Sequence, residues 1–101
     1  GFGVLTRIDV KETLKKKIDV DFKPYTILGA CNPKFAHQAL TAESKIGVML
    51  PCNVIVEQAD ENTIEVTAVD PMASMQAIEN PELGEIAQQV QSLLKDVIAE
   101  I

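Results

Sequence analysis

From Leu83 to the end, the chain carries one continuous helical stripe. Leu83, Ile86, Ala87, Val90, Leu93, Leu94, Val97, Ile98 and Ile101 follow i, i+3, i+4, i+7 spacing, with Glu85, Gln88, Gln89, Gln91 and Lys95 outside it. Such a helix draws its stability from packing its apolar side, so the rest of the chain must supply a broad apolar surface. A sheet meets that need. In Thr63–Val69, Ile64, Val66 and Ala68 alternate with Thr63, Glu65 and Thr67, the period of a half-buried antiparallel strand. At 101 residues there is length for one two-layer core. The expectation is an α+β domain spanning 1–101, an antiparallel sheet packed by the C-terminal helix and by shorter helices.

The remaining segments fit that plan. Phe2–Ile8 reads as a strand, and Asp9 with Glu12 forms a capping-box-like start for a helix carrying Val10, Leu14 and Ile18. Asp19–Pro24 is a polar loop. Tyr25–Cys31 returns as a strand, with Tyr25, Ile27, Gly29 and Cys31 on one face. Asn32-Pro33, Asp70-Pro71 and Asn80-Pro81 repeat one helix-start signal, in which Asn or Asp caps a free amide and Pro occupies the first helical position. Phe35, Ala36, Ala39 and Leu40 form the apolar side of the helix after Pro33. Ile46–Leu50 reads as a strand interrupted by Pro51, which cannot donate to a ladder. Asn53–Ala59 resumes as a strand, Asp60-Glu61-Asn62 turns, and Thr63–Val69 runs back. Met72, Met75 and Ile78 give a short helical turn and apolar surface outside the main stripe.

Charge and composition exclude several classes. A net charge of −6 argues against nucleic acid, whose binders carry a basic stripe. Lys15, Lys16 and Lys17 stand among Asp9, Glu12, Asp19 and Asp21 as a solvated helix face. No apolar run reaches the roughly 20 residues that span a bilayer, so membrane insertion is not expected. Two cysteines do not make a disulfide scaffold, and a reduced cytoplasmic setting is the default. The chain enters strand-like sequence by Phe2 without an initiating methionine, which suggests an incomplete N-terminus and an uncovered strand edge or apolar face.

Chemistry-bearing residues concentrate in Ala30-Cys31-Asn32-Pro33 and Leu50-Pro51-Cys52-Asn53, which hold both cysteines, with His37 close by. The candidate ligand-binding residues are Cys31, Asn32, Cys52 and Asn53. Three of them also have a plainer role, since cysteine is a small buried filler and Asn32 is a helix cap, whereas Asn53, beginning a strand beside a cysteine, suggests a polar contact. A reactive thiol would need a lowered pKa, for which the helix starting at Pro33 offers Cys31 a source. Cys31, Cys52 and His37 have ligand types suited to zinc or copper, but their spacing matches no established motif and no fourth ligand is evident. No metal site or cofactor is assigned. Asp60, Glu61 and Glu65 lie near a hairpin tip, where solvation explains them. No glycine-rich phosphate loop, nucleophile elbow or Ser-His-Asp set can be assembled, so no catalytic residues are assigned.

Gly1-Phe2-Gly3-Val4-Leu5, Ile27-Leu28-Gly29-Ala30-Cys31-Asn32-Pro33, Leu50-Pro51-Cys52-Asn53-Val54, Ala68-Val69-Asp70-Pro71 and Asn80-Pro81-Glu82-Leu83 together resemble the bacterial and archaeal family called domain of unknown function 302. The resemblance covers essentially the whole chain in order. It implies a TATA-binding-protein-like α+β fold in β-α-β4-α order, with the family's first strand and helix absent from this sequence. It implies no activity. It also brings the strands of Cys31 and Cys52 near enough for a disulfide. The resulting expectation is a noncatalytic ligand-binding or protein-interaction domain that forms a homodimer. The competing reading is a thiol-dependent redox or metal-binding domain using Cys31 and Cys52.

Overall fold

In the computed structural model, which describes residues 2–75, 78 and 80–100, strands and helices follow in the order β-α-β-α-β-β-α-α. Gly1 of the family-like opening segment and Ile101 of the C-terminal stripe lie outside the described residues. Strand β1 (Gly3–Asp9) leads into helix α1 (Val10–Ile18), whose N-terminus is closed by the Glu12 amide donating to Asp9 Oδ1 at 2.9 Å. Asp19 ends α1 at φ 54°, a left-handed conformation that Asp tolerates better than most residues. Strand β2 (Tyr25–Cys31) and helix α2 (Pro33–Ala42) follow, then a 3-10 helix, Ser44–Met49. Strands β3 (Cys52–Asp60) and β4 (Thr63–Ala68) form a hairpin, and helices α3 (Pro71–Met75) and α4 (Pro81–Ala99) complete the chain. All three Asx-Pro signals begin a helix with proline in its first turn.

The four strands form one antiparallel sheet in chain order, β1-β2-β3-β4. One row joins Arg7, Leu28, Val54 and Ala68; the next joins Ile8, Ile27, Ile55 and Thr67. Residues facing each other across an antiparallel ladder share a face, so Ala30, Leu28, Cys52, Val54, Val56 and Val66 point to one side. Gly29 lies on the other side between Thr6 and Pro51. A Cβ there would stand 2.7 Å from Pro51 Cγ and closer still to Thr6 Oγ1, so only glycine allows this approach.

The core sits at one end of the sheet. Ala39, Ile46, Met75, Leu83 and Ala87 form one buried cluster, while Cys52, Val90 and Leu94 form a second that reaches the sheet. Leu83, Ala87, Val90 and Leu94 are the buried line of α4, as the periodicity requires. The surface they meet differs from expectation. Helix α4 packs on α2, α3 and only one end of the sheet, so Leu93 and Val97 of the same stripe remain exposed.

Two further expectations are corrected. Ile46–Leu50 is not a strand. Ile46 is fully buried among α2, α3 and α4, and a 3-10 turn delivers it there, with the Ile46 amide bonded to Glu43 and the Leu50 amide to Gly47. A bare run of apolar residues cannot tell these two conformations apart. Met72, Met75 and Ile78 form free apolar surface only in part, with half-buried Met72 and Ile78 lining an open groove beside α4. Met75 is buried in the first cluster, and Met72 and Ile78 pack against it.

Candidate functional site

Where β2 and β3 end against α2 and α4, the side chains do not close completely. Ala30 pairs with Cys52 in the ladder, which aims Cys52 at α4, where it touches the Val90 and Leu94 cluster. Cys31 is the last residue of β2, and Asn32 follows at the N-cap of α2. All three line one pocket, walled by Phe2 and Phe35 and roofed by Met75. Its enclosed room is about 20 Å³, and the empty space is about 330 Å³ when its mouth to solvent is included. The enclosed part therefore holds about one water-sized group, far below the roughly 300–1,000 Å³ of a pocket that engulfs a whole metabolite.

Asn53, the fourth candidate, stands elsewhere. It pairs with Gly29 on the opposite side of the sheet, exposed, and its carbonyl accepts from the Val69 amide. Cys31, Asn32 and Cys52 thus line one pocket and Asn53 stands apart, although alternation along β2 puts Cys31 on the Gly29 face of the sheet and Cys52 on the other. His37 is also apart: it is exposed on α2, and its carbonyl accepts from Thr41 Oγ1 at 2.7 Å. Phe2, Phe35 and Met75 were not among the candidates. Phe35 was visible on the apolar side of α2, but nothing in the local sequence shows that α3 carries Met75 back to the ends of β2 and β3.

The three Asx caps differ in a way that bears on the site. Asp70 Oδ1 accepts from the Met72 amide and from Gln91 Nε2, both at 2.9 Å. Asn80 Oδ1 accepts from the Glu82 amide, and its Nδ2 donates to the Ala42 carbonyl. Asn32 occupies the same position but makes no side-chain capping bond. Asn32 is among the residues lining the mainly apolar pocket, and capping does not account for its side chain.

The electrostatics argue against a nucleophile at Cys52. Burial pushes its thiol up from the ordinary cysteine value, and the neighbouring Cys31 pushes in the same direction. An activated thiol needs the reverse, from a cation or a helix N-terminus aimed at the sulfur. No Lys, Arg or His is among the described residues lining the pocket. Both cysteines are free thiols in the structure. Among the described residues, no group of three or more His, Cys, Asp and Glu side chains gathers to hold a metal ion. No helix of the described residues is long and apolar enough to cross a membrane.

A four-stranded antiparallel sheet, helices gathered at one end and a small thiol-bearing pocket between them define a compact-cored α+β domain. The family described as "Domain of unknown function DUF302" matches residues 1–101, and the chain belongs to that family. Among solved structures it is similar to the crystal structure of an uncharacterized conserved DUF302 protein from Bacillus stearothermophilus. The two share 33% sequence identity at a TM-score of 0.88, over 98% of this chain and 77% of that one. No curated protein matches the chain.

Proposed function

We propose that this chain is a noncatalytic binding domain whose binding place is the pocket of Cys31, Asn32 and Cys52. One observation carries the reading: the only two cysteines of the chain and an asparagine without a capping bond line the same small apolar pocket. Buried fillers and helix caps have no reason to converge in this way. The small enclosed volume means that a ligand inserts one compact group, with its remainder at the mouth or absent. The raised Cys52 thiol argues against nucleophilic chemistry there.

A thermal-shift panel of small uncharged amides and thiols and of soft metal ions tests this. A true occupant raises the midpoint of the wild type and of Asn53→Ala, but not of Cys52→Ala or Asn32→Ala. At a hundredfold excess over Kd, such a ligand contributes about 2.7 kcal/mol. If no member shifts the wild type, or all variants shift equally, the pocket is not the binding place.

Self-association is a second reading, and a separate observation favours it. Val4, Leu5 and Ile64 are each more than 60% exposed, at 63%, 67% and 63%, on the two edge strands β1 and β4. Unpaired edges with apolar side chains readily pair with another copy. This surface adds to the patch of Met72, Met75 and Ile78 on which a homodimer was first expected, where Met75 is buried and Met72 and Ile78 are half-buried.

A further inference from the structure

Strand β4 is an open edge of the sheet, and the ladder shows which of its backbone groups are free. The Val69 amide donates to the Asn53 carbonyl, so by alternation the backbone groups of Thr67 and Glu65 also face β3. Those of Ile64, Val66 and Ala68 face outward, and β4 has no strand neighbour on that side among the described residues. We propose that β4 pairs antiparallel with β4 of a second copy about a two-fold axis at Val66, which seats the partner's Ile64 in the groove between β4 and α4. This rests on the self-association reading and gives it a surface and a register.

Area calls for a second copy, and regularity selects the edge. The accessible surface of 6818 Å² compares with about 5,600 Å² for a folded monomer of 11.0 kDa. The excess of about 1,200 Å² is more than the roughly 800 Å² that one partner gives to a stable complex. Strand β1 is blunted as an edge by an irregularity between Val4 and Thr6. The ladder along β4 is regular from Ile64 to Ala68, so its outward groups form an even template for another strand.

Charge and shape select the register. An axis at Glu65 sets that carboxylate against the partner's Glu65, and like charges directly opposite are destabilising. An axis at Thr67 carries Ile64 past the end of the partner strand, which stops at Ala68. With the axis at Val66, Glu65 stands opposite the partner's Thr67, and the outward groups of Ile64, Val66 and Ala68 meet the partner's Ala68, Val66 and Ile64. Beside β4 runs a groove of about 430 Å³ lined by Val66, Ala68, Leu94, Lys95 and Ile98. Ile64, Val66 and Ala68 share one face of β4, so the partner's Ile64 falls beside Ala68 at this groove. A large side chain exposed on its own chain thereby meets a small one on the other.

The test is sedimentation equilibrium at low salt up to high micromolar concentration, with folding checked by circular dichroism. The expected result is a dimer mass for the wild type and for Val4→Lys, and a monomer mass for Ile64→Lys. Thr67 is exposed, so its variants keep the fold and report the register alone. Thr67→Glu, facing the partner's Glu65, weakens dimerisation about tenfold, and Thr67→Lys strengthens it. A wild-type monomer overturns this interface together with the self-association reading, and leaves the β4 edge to an extended segment of another protein. A dimer that survives Ile64→Lys but not Val4→Lys overturns this interface and leaves self-association standing through β1. An equal Kd for wild type, Thr67→Glu and Thr67→Lys overturns the register.

Discussion

Of the three Asx-Pro starts, Asp70 and Asn80 cap their helices through the side chain and Asn32 does not, and the difference can be measured. Asn80 caps α4 and also ties its start to the end of α2 through the Ala42 carbonyl, so Asn80→Ala is expected to cost about 1–2 kcal/mol in urea unfolding. Asn32→Ala removes no capping bond and should leave stability within about 0.5 kcal/mol of wild type. Equal losses at both positions would show that Asn32 is an ordinary cap. The thiols divide similarly. Cys52 is buried and its thiol is pushed up, so at neutral pH it should react with iodoacetamide only on unfolding, whereas half-buried Cys31 should react in the folded state. A raised folded pKa means that the native state holds its proton longer than the unfolded chain does. Cys52 therefore contributes stability that is present below the ordinary thiol pKa of 9.0 and is lost as pH rises through the higher folded value. The Cys-Asn segments were legible as candidates, three of whose residues line one pocket. That Asn53 belongs to the other side of the sheet was not, because the register that pairs it with Gly29 is a property of two strands together.

At the scale of elements, helix starts were legible and the 3-10 segment was not. Asx-Pro acts through local geometry, so it reads correctly without knowledge of the fold. Ile46–Leu50 has no such local signal; its conformation follows from the site that Ile46 fills. Ile46→Ala should therefore cost about 2–5 kcal/mol, as expected for a fully buried side chain, in chemical denaturation. A loss below 1 kcal/mol would place that segment outside the core. Gly29→Ala tests the packing of β1 and Pro51 over β2. Its added methyl has no room beside Thr6 and Pro51, so a loss of about 1–3 kcal/mol is expected. The α4 stripe was read correctly as packing on the sheet, but it shares that surface with α2 and α3, and Leu93 and Val97 extend past it.

The whole molecule is longer than a well-packed domain of this length. Its radius of gyration is 15.3 Å, against about 13 Å expected for 100 residues, and it extends 43 × 31 × 21 Å. The cause is the distribution of the core: helices crowd one end of the sheet, and the β3–β4 hairpin projects from it with Ile64 exposed. If the edge strands pair between copies, light scattering at high micromolar concentration gives a dimer mass, and Val4→Lys with Ile64→Lys reduces it to a monomer. A monomer mass for the wild type would contradict self-association. The α+β class and the antiparallel sheet were legible because period and turn signals are written locally. The concentration of the core at one end depends on long-range packing, which no segment encodes alone.

The pocket reading is tested most directly by native mass spectrometry of freshly purified protein without added metal or reductant, on wild type, Cys52→Ala and Asn53→Ala. The account predicts a bound mass on the wild type and on Asn53→Ala that is missing from Cys52→Ala. The same bound mass on all three, or a bare chain mass on the wild type, would contradict it.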